Sequence, residues 1–284
     1  FRFAKSAATV SRSTLHALTG GTCPAEQRPT FVFSTGRCGS TLYGKLASAV
    51  SMKQLSEPDV LAALVGRERD PRSAGILANS YAALERYLGG PSESILVKLR
   101  SQSCASAELF TTVFPNARYI FLKRDLYRWS SSFIGKFGLD SRALARILYT
   151  GYNAYQHFRK HGVDLTLLDY EAIKSDPLSS TEMLGDRQLT TDERQAVIAT
   201  AMSVDSQRGA GIRSRVERST VQMLASSFVS EWLAQAPKEI RAFYRQSDPT
   251  DQAVCPSPPP TVFTSPVQHS SDSLEQHDRA SDIT

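Results

Sequence analysis

At 284 residues the chain is long enough for one substantial core with excursions, or for two small domains at most. Its formal charge of +5 hides a division: segment 247–284 carries six acids against Arg279, so the rest holds about +10, which suits a polyanionic ligand (nucleotide, sulfated sugar, nucleic acid or acidic membrane surface) without choosing among them. Cys23, Cys38, Cys104 and Cys255 show no C-x-x-C pair and no His at zinc spacing, which argues against a disulfide framework or a metal site. A pair such as Cys23 with Cys104 stays open.

Residues 1–29 are polar and broken by Gly20, Gly21 and Pro24, and read as an irregular arm. The apolar run Phe31-Val32-Phe33 follows, then Ser34-Thr35-Gly36-Arg37-Cys38-Gly39-Ser40-Thr41, then Leu42, Leu46, Ala49 and Val50 at helical spacing. This is strand, glycine loop, helix. Further buried strands are expected at 95–97, 119–122 and 165–168, with a shorter strand before Glu57. Helices are expected at 105–113, 129–137 and 142–160, then at 191–202 and 219–245 with a break at Pro237. Strands alternating with helices predict an α/β domain over 30–246, a parallel sheet flanked by helices with a helical C-terminal part. Segment 247–284, with Pro256, Pro258, Pro259 and Pro260 among Ser and Asp, is expected to be a disordered tail. No apolar run approaches a membrane span, no intact signal peptide is visible, and Phe1 rather than Met begins the chain, so localisation stays open.

A glycine turn between strand and helix gathers backbone N–H groups where the helix dipole favours negative charge. Gly36 and Gly39 permit the turn, Arg37 adds a charge, and Ser40 and Thr41 add hydroxyls; a purely structural turn is the alternative. The triphosphate-binding pattern G-x-x-x-x-G-K-[ST] is incomplete, because no Lys precedes the hydroxyl pair Ser40 and Thr41. Magnesium-assisted phosphoryl transfer is therefore disfavoured, and no metal is expected. A second basic site lies in 114–125, a strand ending in Arg124-Asp125, with Ser132 on the next helix. A surface ion pair between Arg124 and Asp125 is the competing reading.

The loop at 34–42 resembles the 5′-phosphosulfate loop of sulfotransferases that use 3′-phosphoadenosine-5′-phosphosulfate (PAPS), especially the Golgi-type and related bacterial and algal branches. Arg124 and Ser132, eight residues apart, resemble that family's 3′-phosphate motif, although Leu126 stands where Pro or Gly often follows Arg-Asp. The resemblance implies a P-loop-like nucleotide-binding core. It also implies a donor site of Thr35, Gly36, Arg37, Cys38, Gly39, Ser40, Thr41, Arg124 and Ser132. Ser206 and Arg208, in a Gly-containing segment, are expected to close over the nucleotide.

Sulfuryl transfer needs a base for the acceptor and stabilised charge on the leaving phosphate. None of the five histidines lies near either motif, which leaves carboxylates. Glu57 stands at a distance past the loop similar to that of the catalytic Glu in tyrosylprotein-type sulfotransferases, and is the expected base. Asp59 is next in line, and either acid also reads as a helix N-terminal charge. Lys98 resembles the family lysine that stabilises the leaving phosphate, with Arg100 as a substitute and simple snorkelling as the plain alternative. Tyr170-Glu171 resembles a Tyr-Glu strand end and is expected to be structural, with Leu184, Gly185 and Asp186 behind it.

The resulting expectation is a PAPS-dependent sulfotransferase that releases PAP, with a hydroxyl or amine acceptor on a small molecule, carbohydrate or protein, and no nucleic-acid partner. A P-loop small-molecule kinase and a binding protein without turnover are the alternatives. Loops at 67–75 and 135–141 are the expected acceptor contacts, and no motif in them identifies the acceptor.

Overall fold

The computed structural model describes residues 28–67, 70–88, 95–185, 187–206 and 217–245. The chain divides into the units Phe1–Gln246 and Ser247–Thr284. The second unit, most of the 1–29 arm, Cys23, Cys255, Asp186 and Arg208 lie outside the described residues.

β1 (Thr30–Ser34) leads through a loop into α1 (Ser40–Ala49), then β2 (Lys53–Ser56), the short α2 (Asp59–Ala62) and α3 (Ser73–Tyr87). β3 (Ile95–Lys98) is followed by a 3-10 turn (Ser101–Ser106), α4 (Ala107–Val113), β4 (Arg118–Lys123), α5 (Leu126–Phe137) and α6 (Ser141–Lys160). β5 (Asp164–Asp169) gives way to α7 (Tyr170–Ser175), α8 (Pro177–Gly185), α9 (Thr191–Ser206), α10 (Arg218–Gln235) and α11 (Lys238–Tyr244). The five strands form one parallel sheet in the order β2-β3-β1-β4-β5. The α/β fold with a helical C-terminal part is the one expected from the alternation of runs.

β1 shows why its sequence makes a central strand. All five of its residues are buried, and successive side chains enter opposite layers. Phe31 and Phe33 join Val97, Tyr119, Phe121 and Phe158 on one face, while Val32 joins Leu46, Ile120, Leu122 and Trp129 on the other. A strand buried on both faces needs consecutive apolar residues through its middle, which Phe31-Val32-Phe33 supplies, with the polar Thr30 and Ser34 at its two ends.

Several boundaries differ from expectation for identifiable reasons. α5 starts at Leu126 because Asp125 caps it, its Oδ1 accepting from the Arg128 N–H at 2.9 Å. Asp125 is thus a helix cap as well as a neighbour of Arg124. Ser73 opens α3 and Gly135 lies inside α5, so the two expected acceptor loops are partly helical. The break expected at Pro237 is present: α10 and α11 are separate helices, since Pro237 supplies no N–H to carry the ladder across. Tyr170 opens a helix directly after β5 rather than ending the strand. Among the described residues, no helix is long and apolar enough to cross a membrane.

Candidate active site

In an open parallel sheet the carboxyl ends of the strands share one edge, and here each leads into a residue with ionic chemistry. The β1 end leads to Arg37, β2 to Glu57, β3 ends in Lys98, β4 precedes Arg124, and β5 precedes Tyr170-Glu171.

The loop after β1 is wound through the left-handed region, with φ of +77° at Gly36, +56° at Arg37 and +81° at Gly39. Two of these are glycines, where the conformation carries little cost; Arg37 bears the strain. Gly39 is required for a second reason, because a Cβ there would lie 2.0 Å from Tyr170 Cδ2. The Trp129 indole N–H donates to the Gly36 carbonyl at 3.0 Å, fixing the turn from α5. Gly39 caps α1 without a side-chain bond and no acid occupies the first helical turn, so the dipole end is left to an anion.

Of the loop side chains, Arg37 and Thr41 are exposed and Ser40 half-buried. Thr35 and Cys38, expected among the donor contacts, are buried and lie against each other, Oγ1 to Sγ 3.2 Å. Burial pushes the Cys38 thiol up to about 12, so it fills the loop as a neutral thiol. These two residues offer backbone rather than side chain to the site.

Two clusters flank the loop. On the β4–β5 side, Arg37 Nε donates to Ser132 Oγ at 2.9 Å, and Arg124 Nη1 donates to the Arg37 carbonyl at 3.2 Å. The Arg124 guanidinium lies over the Tyr170 ring, 4.5 Å from its centroid. Burial, then the Arg124 charge, lowers the Arg37 pKa, and burial likewise lowers that of Arg124 while Glu171 opposes it. Both guanidiniums stay protonated at neutral pH, so two cations are crowded at this edge, a setting that favours an anion. Glu171 Oε2 lies 2.7 Å from Arg128 Nη1, and its Oε1 3.9 Å from Arg124 Nε.

On the β2–β3 side, the Lys98 ammonium donates to Thr41 Oγ1 at 3.2 Å and lies 2.8 Å from Glu57 Oε1. The Lys98 side chain is only 6% exposed, against 42% for Glu57, so a buried cation meets an accessible carboxylate. Arg100 is not beside Thr41: it pairs with Asp59 and stands 3.9 Å from Glu57 Oε2.

The structure thus brings Arg37, Ser40, Thr41, Glu57, Lys98, Arg124 and Ser132 to one edge. Ser206 ends α9 in backbone, but its side chain lies outside the described residues, as does Arg208. Trp129, Arg128, Tyr170 and Glu171 were missed as site residues. The Tyr170-Glu171 pair opens α7 rather than ending a strand, and it lies against the basic cluster, Tyr170 beneath Arg124 and Glu171 beside Arg128. Among the described residues no group of three or more His, Cys, Asp or Glu is arranged to hold a metal ion.

No family model matches the chain, and no curated protein matches it. Among solved structures it is similar to the sulfotransferase STF9 from Mycobacterium avium, with 14% identity, 76% of this chain and 81% of that one covered, and a TM-score of 0.43. It is also similar to the sulfotransferase domain of the Synechococcus PCC 7002 olefin synthase, at 16% identity, 73% and 98% coverage and a TM-score of 0.43. A third is the sulfotransferase STF1 from Mycobacterium tuberculosis H37Rv, at 14% identity, 76% and 81% coverage and a TM-score of 0.42. These three are bacterial, and none carries the Golgi-type or tyrosylprotein label. Likeness this distant does not carry chemistry across, and the function rests on the site's own residues.

Proposed function

We propose that the protein is a sulfotransferase that takes the sulfuryl group of PAPS to a hydroxyl or amine acceptor and releases PAP. The observation that carries this reading is the Lys98 ammonium donating to Thr41 Oγ1 at 3.2 Å, from a neighbouring strand. Triphosphate-binding loops place their lysine within the loop itself, directly before the hydroxyl. Here Gly39 and Ser40 precede Thr41, and the cation comes across from β3 with a carboxylate, Glu57, on its other side. Charge stabilisation and a proton acceptor are therefore neighbours at one end of the loop.

In this reading Arg37, Ser40, Thr41 and the start of α1 hold the 5′-phosphosulfate, and Arg124 with Ser132 holds the 3′-phosphate. The acceptor's lone pair attacks sulfur as the bond from sulfur to the bridging phosphate oxygen breaks. The departing electron pair goes to PAP, whose charge Lys98 and Arg37 stabilise, and the acceptor's proton passes to Glu57. The tyrosylprotein-like branch enters only through the placing of Glu57.

The test is calorimetric titration with PAP in metal-free buffer beside ATP with magnesium, followed by turnover of labelled PAPS over an acceptor panel. Binding of PAP and transfer of label to an acceptor support the proposal. Binding of ATP–magnesium with no response to PAP overturns it in favour of a kinase, and PAP binding without turnover on any acceptor reduces it to a donor-binding protein.

A further inference from the structure

Glu171 presents a carboxylate to Arg124, just assigned to the 3′-phosphate, and to Arg128 beside it. Arg128 and Ser132 are one turn apart on α5 and share a face, and Ser132 Oγ accepts from Arg37. The carboxylate stands on this same cluster, with its short contact, 2.7 Å, to Arg128.

The geometry is poor for an orienting role toward Arg124. That guanidinium is already fixed by the Tyr170 ring beneath it and by its bond to the Arg37 carbonyl. Arg124 Nε and Glu171 Oε1 are both buried, neither has a hydrogen-bonding partner in the protein, and they face each other across 3.9 Å. A carboxylate that served to hold Arg124 would close this gap and satisfy both atoms. Instead its direct contact goes to Arg128, whose side chain is 55% exposed and adaptable. Arg124 thus retains a buried donor suited to an incoming acceptor oxygen.

We propose that Glu171 is an internal competitor for the nucleotide's 3′-phosphate, and that Arg128 is a further ligand of that phosphate; both statements rest on the PAPS reading. A phosphate monoester brings up to two negative charges and three terminal oxygens, enough to satisfy Arg124 Nε and to take Arg128 from a singly charged carboxylate. Binding exchanges the Arg128–Glu171 pair for an Arg128–phosphate pair, and the carboxylate's return assists departure of PAP. The pair lowers the affinity for the product and shortens its residence, and it acts only on nucleotides that carry a 3′-phosphate.

The test compares PAP with adenosine 5′-monophosphate, which lacks the 3′-phosphate, on wild type, Glu171→Gln and Arg128→Met, each confirmed folded by circular dichroism and melting. The expected result is that Glu171→Gln binds PAP about three- to tenfold more tightly, with slower release in stopped flow, and leaves the monophosphate unchanged. Arg128→Met should weaken PAP alone. Weaker or unchanged PAP binding in Glu171→Gln overturns the proposal and makes the carboxylate a positioning group. An equal gain for both nucleotides also overturns it, since that is a general field effect. Glu171→Asp, too short to hold the same contact, supplies a second variant with the same expected sign should Gln disturb folding. If wild type fails to bind PAP at all, the donor reading itself falls.

Discussion

Glu57 and Lys98 hold each other twice: the Glu57 backbone N–H donates to the Lys98 carbonyl at 2.7 Å, and the Lys98 ammonium lies 2.8 Å from the Glu57 carboxylate. The first contact holds Glu57 at a φ of +54°, where a residue with a side chain is strained. Strain of this kind persists only where surrounding structure enforces it, and here it directs the carboxylate to the loop's cation. Glu57→Gln keeps shape and removes the proposed base. Turnover of labelled PAPS should fall roughly 10²- to 10⁴-fold while PAP affinity changes little. Near-parental turnover would move the base to Asp59.

Arg124→Ala removes a half-buried guanidinium from the basic cluster proposed to hold the 3′-phosphate. Loss of a charged phosphate contact should cost about 1.5–3 kcal/mol, roughly a 10- to 150-fold rise in the PAP dissociation constant. Calorimetry on the folded variant measures it, and an unchanged constant would remove Arg124 from the site.

Gly39→Ala meets two obstacles, the φ of +81° and the Tyr170 ring 2.0 Å from the new Cβ. Tyr170 also supports Arg124, so a shift of the ring disturbs both proposed phosphate sites. A loss of about 1–3 kcal/mol in unfolding free energy is expected, together with weakened PAP binding. Urea unfolding checks the first and titration the second.

His157 Nε2 lies 2.8 Å from Thr111 Oγ1, and burial lowers its pKa from 6.5, with His161 and Lys160 acting in the same direction and Glu108 opposing. The unfolded chain therefore binds the proton more readily than the native one. The resulting stability is present above pH 6.5 and is lost as pH falls from there toward the lower native value. Urea midpoints across this window should drop with pH in the parent, and the drop should be smaller in His157→Gln.

Lys123 Nζ donates to the Phe243 carbonyl at 3.1 Å, and Tyr244 OH to the Leu148 carbonyl at 2.8 Å, so α11 closes over the sheet edge beside Arg124. Ending the chain after Pro237 should lower the melting temperature by several degrees, about 2–4 °C per kcal/mol lost for a domain of this size. Ending it after Gln246 should leave melting and turnover unchanged, as the composition of 247–284 leads one to expect. A large drop from the second cut would extend the domain beyond 246.

The sheet and its loop were legible because their signals are local. Phe31-Val32-Phe33 followed by Gly36 and Gly39 specifies strand, turn and helix without reference to distant residues, and Lys98 and Arg124 stand out as charges at the ends of apolar runs. Glu171 ends such a run as well, but its meaning depends on β5 lying beside β4, where Lys123 pairs with Asp169 in register. Spacing along the chain does not state that adjacency. Trp129 and Tyr170 were hidden for the related reason that large aromatics usually signify core, and both are indeed buried while also fixing the loop. Cys38 and Thr35 look like loop donors in sequence; only their burial shows that they face inward.

The strand order has an evolutionary consequence. Because β1 is central, the ammonium–carboxylate pair comes entirely from strands on one side of it, and the guanidiniums after β4, with their carboxylate after β5, from the other. On the proposed assignment, substitutions around α2 bear on the proton acceptor and leave the Arg124–Ser132 side untouched. On the same assignment, drift around α5 and α7 bears on nucleotide residence and leaves the Glu57–Lys98 pair untouched. In the proposed enzyme, selection acting on one wing of the sheet leaves the contacts of the other in place.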